Sequence, residues 1–326
     1  MPPAVTIIMP TYERPETTQT AIRSALAQHF GSFVLRIGDD SESDAVERVV
    51  RGFDDPRIDY RRNERRLGAA GNWIALLRSA DTPYVASLND DDEWLPGYLE
   101  QLVPPLEHDP EVAVAFGDFT LVDEHGRELA AATEALSRRT RRATLSGGRC
   151  GGERDDGLRL VAVWNAPQPA ICAALRSDFV RRIEFPEQVT SIHDLWLSYQ
   201  VVVAGGGFYY VPERLTRYRR HGASLTRTVG FGDEEDYVFG RIIAENADSD
   251  VVREVAEYWS AIRWGRAVAL MGAGDREASQ RELRFAAPRL HGVRRAAAFV
   301  AGRSTLPWSL LATARAARRR IRGGAS

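Results

Sequence analysis

Short apolar runs alternate with longer amphipathic segments over the first 120 residues of the chain. The short runs are rich in β-branched residues and predict strands at 5–9, 33–37, 58–60, 84–88 and 112–116. The longer segments predict helices at 45–53, at 69–79 and from Pro15, where Ala21, Ile22, Ala25 and Leu26 share one face. Because this alternation is typical of parallel strands joined by crossover helices, the pattern predicts an α/β fold.

The pattern becomes less regular after residue 120. Residues 124–127 predict a hairpin turn, and residues 133–157, rich in Arg, Gly and Ser, predict a mobile loop, either a lid or an insertion. Regular structure is predicted again at 160–164, in a helix at 195–204 and in a strand at 208–211. From residue 234 onward the pattern is almost wholly helical, which predicts a helical C-terminal appendage.

Polar residues follow four of the predicted strands at the point where each strand ends. They are Pro10 to Arg14, Asp39 to Ser41, Asn63 to Gly68 and Asn89 to Glu93. Ligands in open α/β sheets bind outside the carboxyl ends of the strands, so these four stretches should meet at one edge.

Five carboxylates in two clusters would come together at this edge: Asp39, Asp40, Asp90, Asp91 and Asp92. Like charges at such proximity repel one another unless a cation neutralises them. Mg²⁺ or Mn²⁺ typically bridges one or two carboxylates to substrate phosphates. Asp runs after strands also form turns and helix caps, but two clusters on one edge favour a metal and diphosphate site.

The composition excludes several classes of enzyme. All 43 basic residues among the 326 are Arg, which rules out Schiff-base lysines and phosphate-loop lysines. The two cysteines have no zinc-site spacing, and Gly68 to Gly71 lacks a dinucleotide-binding pattern. The N-terminus lacks a signal-peptide pattern, and no apolar run reaches the ~18 residues of a membrane span. A cytoplasmic protein is therefore expected.

The net charge of −2 conceals a strongly basic end, because residues 283–326 contain arginines and no acidic residue. Segments between 293 and 321 alternate apolar and Arg-rich stretches. Such segments either lie peripherally on the inner face of an anionic membrane or pack on protein, including a second copy in a homo-oligomer. The other Arg-rich stretch, 138–142, is interpreted as a solvated run, so no nucleic-acid partner is expected.

Four motifs in residues 4 to about 120 resemble the nucleotide-sugar-binding half of inverting family 2 glycosyltransferases: VTIIMPTYERPE, LRIGDDSES, NERRLGAAGNWIAL and YVASLNDDDEWLPGYL. The resemblance implies the GT-A fold, a Rossmann-like, mostly parallel sheet flanked by helices. It implies that Thr11 and Tyr12 contact the nucleobase and ribose, that Asp40 binds the base, and that Asp90 lies near ribose or metal. Further nucleotide-binding candidates are Pro10, Arg14, Gly68, Asn72 and Asn89.

The metal, Mn²⁺ or Mg²⁺, is assigned by the same resemblance to Asp91, with His221 as a further candidate ligand. Asn89 stands where the family most often has Asp, and Asp92 is interpreted as a turn or cap residue. Arg219 and Arg220 are candidates for the diphosphate, for which a guanidinium fork is suited.

The acceptor half contains two further stretches similar to the family, Trp164 to Pro167 and Ile192 to Leu195. They imply that Trp164, Asn165 and His193 contact acceptor or donor sugar and that Asp194 is the general base. The alternative for Asp194 is that it caps a helix beginning at Leu195.

The function implied is metal-dependent, inverting transfer of a sugar from a nucleotide-diphosphate sugar, UDP being favoured, to an acceptor hydroxyl. Acceptor saccharides, lipid-linked glycans and small natural products all remain open. A sugar-nucleotide nucleotidyltransferase and a catalytically silent nucleotide-sugar-binding scaffold are the competing hypotheses. The expected domains are a catalytic domain at 1–230, divided near residue 120 into nucleotide and acceptor halves, and a helical region at 231–326.

Overall fold

The computed structural model describes residues 2–220 and 232–286. The chain divides into two units, residues 1–245 and 246–326. The predicted domain boundary after residue 230 falls within residues 221–231, which lie outside the described residues. This boundary therefore stays a prediction.

The first unit is built on one sheet, which has nine strands in the described ranges. They are β1 (Val5–Thr11), β2 (Phe33–Asp39), β3 (Ile58–Arg62), β4 (Tyr84–Ser87), β5 (Glu93–Trp94), β6 (Val112–Val122), β7 (Gly148–Cys150), β8 (Ala173–Arg176) and β9 (Gly207–Arg219). Their order is β3-β2-β1-β4-β8-β6-β9-β5, with β7 paired to β9. The six predicted strands all form, and several extend beyond their predicted ends.

Most of the sheet is parallel. Strands β1 to β4 pair in parallel, as do β6 and β9, whereas β8 pairs antiparallel between β4 and β6. β5 and β7 each pair antiparallel with β9. The expected mostly parallel α/β sheet is confirmed.

Helices flank the sheet, and their apolar faces form its core. They are α1 (Pro15–Leu26), α2 (Ala45–Arg51), α3 (Gly68–Ser79), α4 (Tyr98–His108), α5 (Ala130–Arg139), α6 (Arg154–Leu158), α7 (Pro169–Cys172), α8 (Ser177–Val180), α9 (His193–Val203) and α10 (Gly232–Glu245). On α1, the predicted face buries Ala21, Ile22 and Ala25 completely, against β1 and β2 residues such as Ile7 and Leu35. Periodicity therefore located the buried face correctly.

Residues 133–157 contain more regular structure than the sequence indicated. The segment includes most of α5, a 3₁₀ turn at Arg142–Thr144, β7 and the start of α6. A π-helical turn, Arg159–Val163, follows. The interpretation as a loop failed because β7 pairs only with distant β9, and a three-residue strand leaves no detectable periodicity in sequence.

The predicted hairpin turn at 124–127 forms, with an antiparallel bridge between Val122 and Glu128. Gly126 adopts a φ of +79° there, a conformation that glycine reaches without steric cost.

The described part of the second unit is helical, as expected, and comprises α11 (Val252–Gly272) and α12 (Arg276–Ala286). The two helices pack through Trp259 and Phe285, whose ring centroids lie 4.4 Å apart. Arg263 donates to Glu282 at 2.7 Å in the same interface. The basic segments expected to contact membrane or a second copy, 293–321, lie outside the described residues.

Within residues 2–220 and 232–286, no helix is long and apolar enough to cross a membrane.

A close approach at the start of β9 gives a test of the packing. A Cβ on Gly206 would lie 2.8 Å from the Ala113 Cβ and 2.9 Å from both Phe179 and Val201. Gly206→Ala should therefore lower the free energy of unfolding by about 1–3 kcal/mol, because overpacking forces neighbours to shift. Urea denaturation measures the loss.

Gly31→Ala is the matched control, since a Cβ there meets no atom within 4 Å. It should change stability by less than about 0.5 kcal/mol. Equal stabilities of the two variants would contradict the packing described for Gly206.

Candidate active site

The carboxyl ends of β1, β2, β3 and β4 meet at one edge of the sheet, as the sequence predicted. The Asp40 backbone N–H donates to Thr11 O at 3.0 Å, and the Asn63 N–H donates to Asp39 O at 2.8 Å. The Tyr12 N–H donates to the Asp90 carboxylate at 3.2 Å. The loops that follow the four strands are thereby bonded to one another.

Asp90 and Asp91 share one guanidinium. Arg14 Nη1 lies 3.1 Å from Asp90 Oδ1 and 2.8 Å from Asp91 Oδ2. Burial raises the pKa of Asp90, the charge of Asp91 raises it further, and Arg14 acts in the opposite direction. Arg14, expected to contact nucleotide, is therefore the counter-ion of the acidic run in this structure.

Asp92 has other hydrogen-bond partners and is 1% exposed. It accepts the Arg219 backbone N–H at 2.8 Å and the Asn89 side-chain amide at 2.9 Å. The same amide donates to Ala170 O at 3.1 Å. Asp92 is thus more than the turn or cap residue expected, because it bonds the loop after β4 to the end of β9.

The two candidate diphosphate arginines occupy different environments. The Arg219 guanidinium is buried and donates to Asp91 O at 2.9 Å, to Glu93 Oε1 at 2.6 Å, and to the carbonyls of residues 123 and 124 at 3.2 Å. Arg220 is exposed, and its backbone N–H donates to the carbonyl of residue 122. The Arg219 guanidinium is committed to protein acceptors, whereas the Arg220 side chain is exposed.

Asp40 holds the start of α3. Its carboxylate accepts the Asn63 amide at 2.8 Å and the backbone N–H groups of Leu67 and Gly68 at 3.1 and 2.8 Å. A carboxylate at a helix N-terminus satisfies donors that have no partner within the helix. The expected base-binding residue therefore also has a structural role.

Asn72 is buried on α3 and is bonded inside the domain. Its amide donates to Gly38 O at 2.7 Å, and its side-chain oxygen accepts from Asn63 at 3.1 Å. A side chain on Gly38 would collide with this amide. The structure brings Asn72 close to the Asp40 cluster.

Tyr12 lies at the open side of the edge with 36% of its surface exposed. The Arg66 guanidinium lies over the ring, 4.0 Å from its centroid. Thr11 is buried, with its hydroxyl 3.0 Å from that of Thr18, and Pro10 is half-buried in β1. Of these three candidates, Tyr12 presents the most surface to a ligand.

Asp194 lies in the first turn of α9, a helix that begins at His193 rather than at Leu195. The alternative that Asp194 is the N-cap is therefore wrong, since the residue preceding the helix is Ile192. Asp194 Oδ1 accepts from the Leu195 N–H at 2.8 Å. Burial raises the pKa of Asp194 to about 6, and the charge of Glu234 adds to the increase.

The remaining candidates in the acceptor half are His193, the first residue of α9, and two residues that precede α7, Trp164 and Asn165. His193 is buried against Trp73, with ring centroids 4.5 Å apart, and burial lowers its pKa to about 4. Its Nδ1 has no hydrogen-bond partner in the described part of the chain. Trp164 and Asn165 are half-buried at the end of the π-helical turn, and Asn165 has a φ of 49°. His221 lies outside the described residues.

Arg142 was missed by the sequence analysis, which interpreted 138–142 as solvated. It is 1% exposed, and its guanidinium donates to Ala166 O at 2.8 Å through Nε and to Cys172 Sγ at 3.1 Å. The guanidinium also lies 4.6 Å from the Phe119 ring centroid. Arg142 thus fixes the turn that follows Trp164, and no local pattern distinguishes it from its exposed neighbours.

The donor atoms at the edge fit a hard divalent cation. No group of three or more His, Cys, Asp or Glu side chains in residues 2–220 and 232–286 is arranged to hold a metal. Mg²⁺ and Mn²⁺ commonly use one or two carboxylates together with substrate phosphates, so a three-residue cage is not required. Asp91 and Asp90 supply suitable oxygens, beside the guanidinium that neutralises them here.

Solved structures with similar folds identify the architecture of the chain. TarS from S. aureus, in complex with UDP-GlcNAc, aligns over 92% of this chain and 87% of its own with a TM-score of 0.65 and 13% identity. A mannosyltransferase from Pyrobaculum calidifontis, in complex with GDP-Man and Mn²⁺, covers 97% of this chain and 80% of its own with a TM-score of 0.52 and 16% identity. At these identities the likeness concerns the fold, and it confirms the GT-A architecture.

A family resemblance is found in the sequence of the same region. Residues 6–151 match the model of glycosyl transferase family 2. Residues 6–151 are therefore similar to family 2 glycosyltransferases, as the resemblance of the four motifs implied.

Several curated relatives are named as bacterial glycosyltransferases. The E. coli UDP-Glc:alpha-D-GlcNAc-diphosphoundecaprenol beta-1,3-glucosyltransferase WfgD is 31% identical over 37% of this chain and 47% of its own length. The Campylobacter jejuni GalNAc(5)-diNAcBac-PP-undecaprenol beta-1,3-glucosyltransferase is 36% identical over 31% of this chain and 34% of its own. The matched region spans half or less of the length of these relatives.

The contrast between Arg219 and Arg220 yields a stability test. Arg219→Ala removes a buried guanidinium and leaves Glu93 and three carbonyl groups without it, so it should lower the free energy of unfolding by about 3 kcal/mol or more. Arg220→Ala, its exposed neighbour, should lower it by less than about 0.5 kcal/mol. Chemical denaturation measures both, and similar losses would contradict the structural role of Arg219.

Proposed function

We propose that the protein is a metal-dependent inverting glycosyltransferase that moves a sugar from a nucleotide-diphosphate sugar to an acceptor hydroxyl. The observation that carries the proposal is the family 2 match at 6–151, which includes all four strand ends that meet at the candidate edge. UDP is the favoured nucleotide. Two relatives are named as glucosyltransferases, and the name of one includes UDP-Glc as its donor. TarS was solved in complex with UDP-GlcNAc.

In the proposed reaction, the acceptor oxygen attacks the anomeric carbon while the bond from that carbon to the diphosphate oxygen breaks. Asp194 takes the proton of the acceptor hydroxyl, and the nucleoside diphosphate departs. A general base is most effective when its pKa lies near the working pH, and burial raises the pKa of Asp194 to about 6. No covalent intermediate on the enzyme is required.

The donor is held in this proposal by the edge of the sheet. The Tyr12 ring would stack on the base. The base would lie either on the ring face that Arg66 covers in this structure or on the opposite face. Asp90 and Asp91 would hold Mn²⁺ or Mg²⁺, which when bound supplies positive charge to the departing diphosphate. Arg220, which is exposed, adds a guanidinium for the phosphate oxygens.

A lipid-linked glycan is the acceptor class that we propose to test first. Two relatives are named for acceptors linked to undecaprenol through diphosphate. The matched family region ends at residue 151, before Asp194 and α9, so acceptor choice depends on residues outside it. Undecaprenyl-diphosphate-linked GlcNAc and GalNAc are suitable probes, with free oligosaccharides as the alternative class.

The two competing hypotheses predict different reaction products from those of a glycosyltransferase. A nucleotidyltransferase would release pyrophosphate from a nucleoside triphosphate, and the absence of Lys from the chain disfavours it. A silent nucleotide-sugar-binding scaffold would bind UDP-glucose without hydrolysing it. Incubation with UTP or UDP-glucose, followed by assays for pyrophosphate and UDP, separates both from a transferase.

Asp194→Asn should reduce sugar transfer about 100- to 10,000-fold, the range that a general base contributes. UDP binding, measured by calorimetry, should remain unchanged, because Asp194 lies in the acceptor half. In the unaltered protein, kcat/KM should fall as the pH falls through about 6, since the base is then protonated. The UDP-sugar and acceptor probes named above supply the assay.

Asp178→Asn is the control, because it removes an exposed carboxylate bonded to Arg181 in the same half of the domain. It should leave transfer unchanged. Transfer that survives in Asp194→Asn at the unaltered rate would refute the assignment of the base.

Asp91→Asn should weaken Mn²⁺ binding in the presence of UDP, because one of the two carboxylates that fit the cation is lost. Electron paramagnetic resonance of free Mn²⁺ measures the affinity, and the thermal stabilisation by UDP plus Mn²⁺ should fall in parallel. Asp81→Asn, which removes an exposed carboxylate, is the control. Equal Mn²⁺ affinity in the two variants would exclude Asp91 as a ligand.

A further inference from the structure

Glu234 is a buried carboxylate, 8% exposed, in the first turn of α10. Its Oε1 accepts three consecutive backbone N–H groups, from Thr190 at 2.7 Å, Ser191 at 2.6 Å and Ile192 at 2.8 Å. Its Oε2 accepts the Thr190 hydroxyl at 3.1 Å. One side chain from a distant helix thus fixes the turn that leads into α9.

The turn held by Glu234 leads directly to the proposed base. Ile192 is the last residue before α9, and Asp194 is the second residue of the helix. The three N–H groups that Glu234 accepts precede the first helical residue, so Glu234 holds the chain that enters α9, while the Leu195 N–H within the first turn is accepted by Asp194 itself. The Ser198 hydroxyl donates to Asp194 O at 2.9 Å and holds the backbone from the other side.

Glu234 also acts on Asp194 through its charge. In the part of the chain that the structure describes, other charged or titratable groups near Asp194 include the Cys172 thiol, Arg142 beside that thiol, and the adjacent His193. Burial raises the pKa of Cys172 to about 11 and lowers that of His193 to about 4, so both are neutral near pH 7. The short helix α6 packs near the other end of α9.

We infer that Glu234 is a positioning residue for the transfer reaction: from α10 it holds the turn at 190–192, directly before Asp194 in the chain, and its negative charge acts on the carboxylate of Asp194. The inference rests on the proposed function of Asp194 as the base. If Glu234 only stabilised the turn, its substitution would alter folding and the geometry of the turn. The inferred role predicts in addition that removing the Glu234 charge changes the ionisation of Asp194.

Two substitutions separate geometry from charge. Glu234→Ala removes the acceptor of three N–H groups, so the turn should shift, and a displacement of about 1 Å can reduce kcat about 100-fold. Glu234→Gln keeps a carbonyl oxygen as acceptor but removes the charge, so it should restore most of kcat. KM for UDP-glucose should remain unchanged in both variants.

The decisive measurement is the pKa of Asp194. It is obtained from an NMR titration of protein with ¹³C-labelled aspartate carboxyls, in which the Asp194 signal is identified by its absence from Asp194→Asn. The Glu234 charge disfavours ionisation of Asp194, so Glu234→Gln should lower this pKa. The acidic limb of UDP-glucose hydrolysis, measured as UDP release, should move to lower pH by the same amount.

Asp233→Asn is the matched control, because it removes the same charge from the neighbouring, exposed position. It should leave the Asp194 pKa and the acidic limb unchanged. An equal shift in both variants, or no shift in Glu234→Gln, would overturn the inference.

The NMR titration requires neither donor nor acceptor, so it distinguishes the two proposals. If Asp194→Asn retains activity while Glu234→Gln shifts the Asp194 pKa, the assignment of the base fails, and with it a positioning role in catalysis. If Asp194→Asn is inactive but Glu234→Gln leaves the pKa unchanged, only the inference about Glu234 fails.

Discussion

Three consecutive aspartates follow β4, with Asp90 and Asp92 buried and Asp91 half-buried between them, and this is the constraint on which the rest of the site depends. Carboxylates removed from water need donors or counter-charges, and here the partners come from different parts of the chain. Arg14, after β1, serves Asp90 and Asp91, whereas Asp92 is satisfied by Asn89 and by the backbone of Arg219. The acidic run thereby joins the first strand to the last long strand of the sheet.

This arrangement gives several candidate ligand-binding residues a role in folding as well. Asp40 accepts the first N–H groups of α3, Asn72 binds the carbonyl of Gly38, and Arg219 bonds the loop that carries Asp91. Loss of activity in variants of such residues therefore has two possible physical causes. Asp194, by contrast, is held by its own helix and by a turn that Glu234 fixes, so its charge can be altered with less effect on the sheet.

The two halves of the first unit are built on different kinds of contact. The donor edge consists of short motifs that follow parallel strands, so residues close in sequence to a strand end are also close in space. The acceptor half depends on long-range contacts, such as those of Arg142 with Ala166 and Cys172, and of Glu234 with the turn at 190–192. It is also the half that the family match at 6–151 leaves largely uncovered.

The sequence by itself determined the strands of the donor half, the buried face of α1 and the convergence of four polar stretches, because apolar periodicity and parallel connectivity are local properties. Only the tertiary structure decided which two aspartates contact Arg14, that Asp92 bonds β9, and that α9 begins at His193. It also decided that Arg142 is buried and that Glu234 fixes the turn before Asp194. Each of these facts depends on a partner tens of residues away, and hydrogen bonding between distant side chains and backbone leaves no periodic signal in the chain.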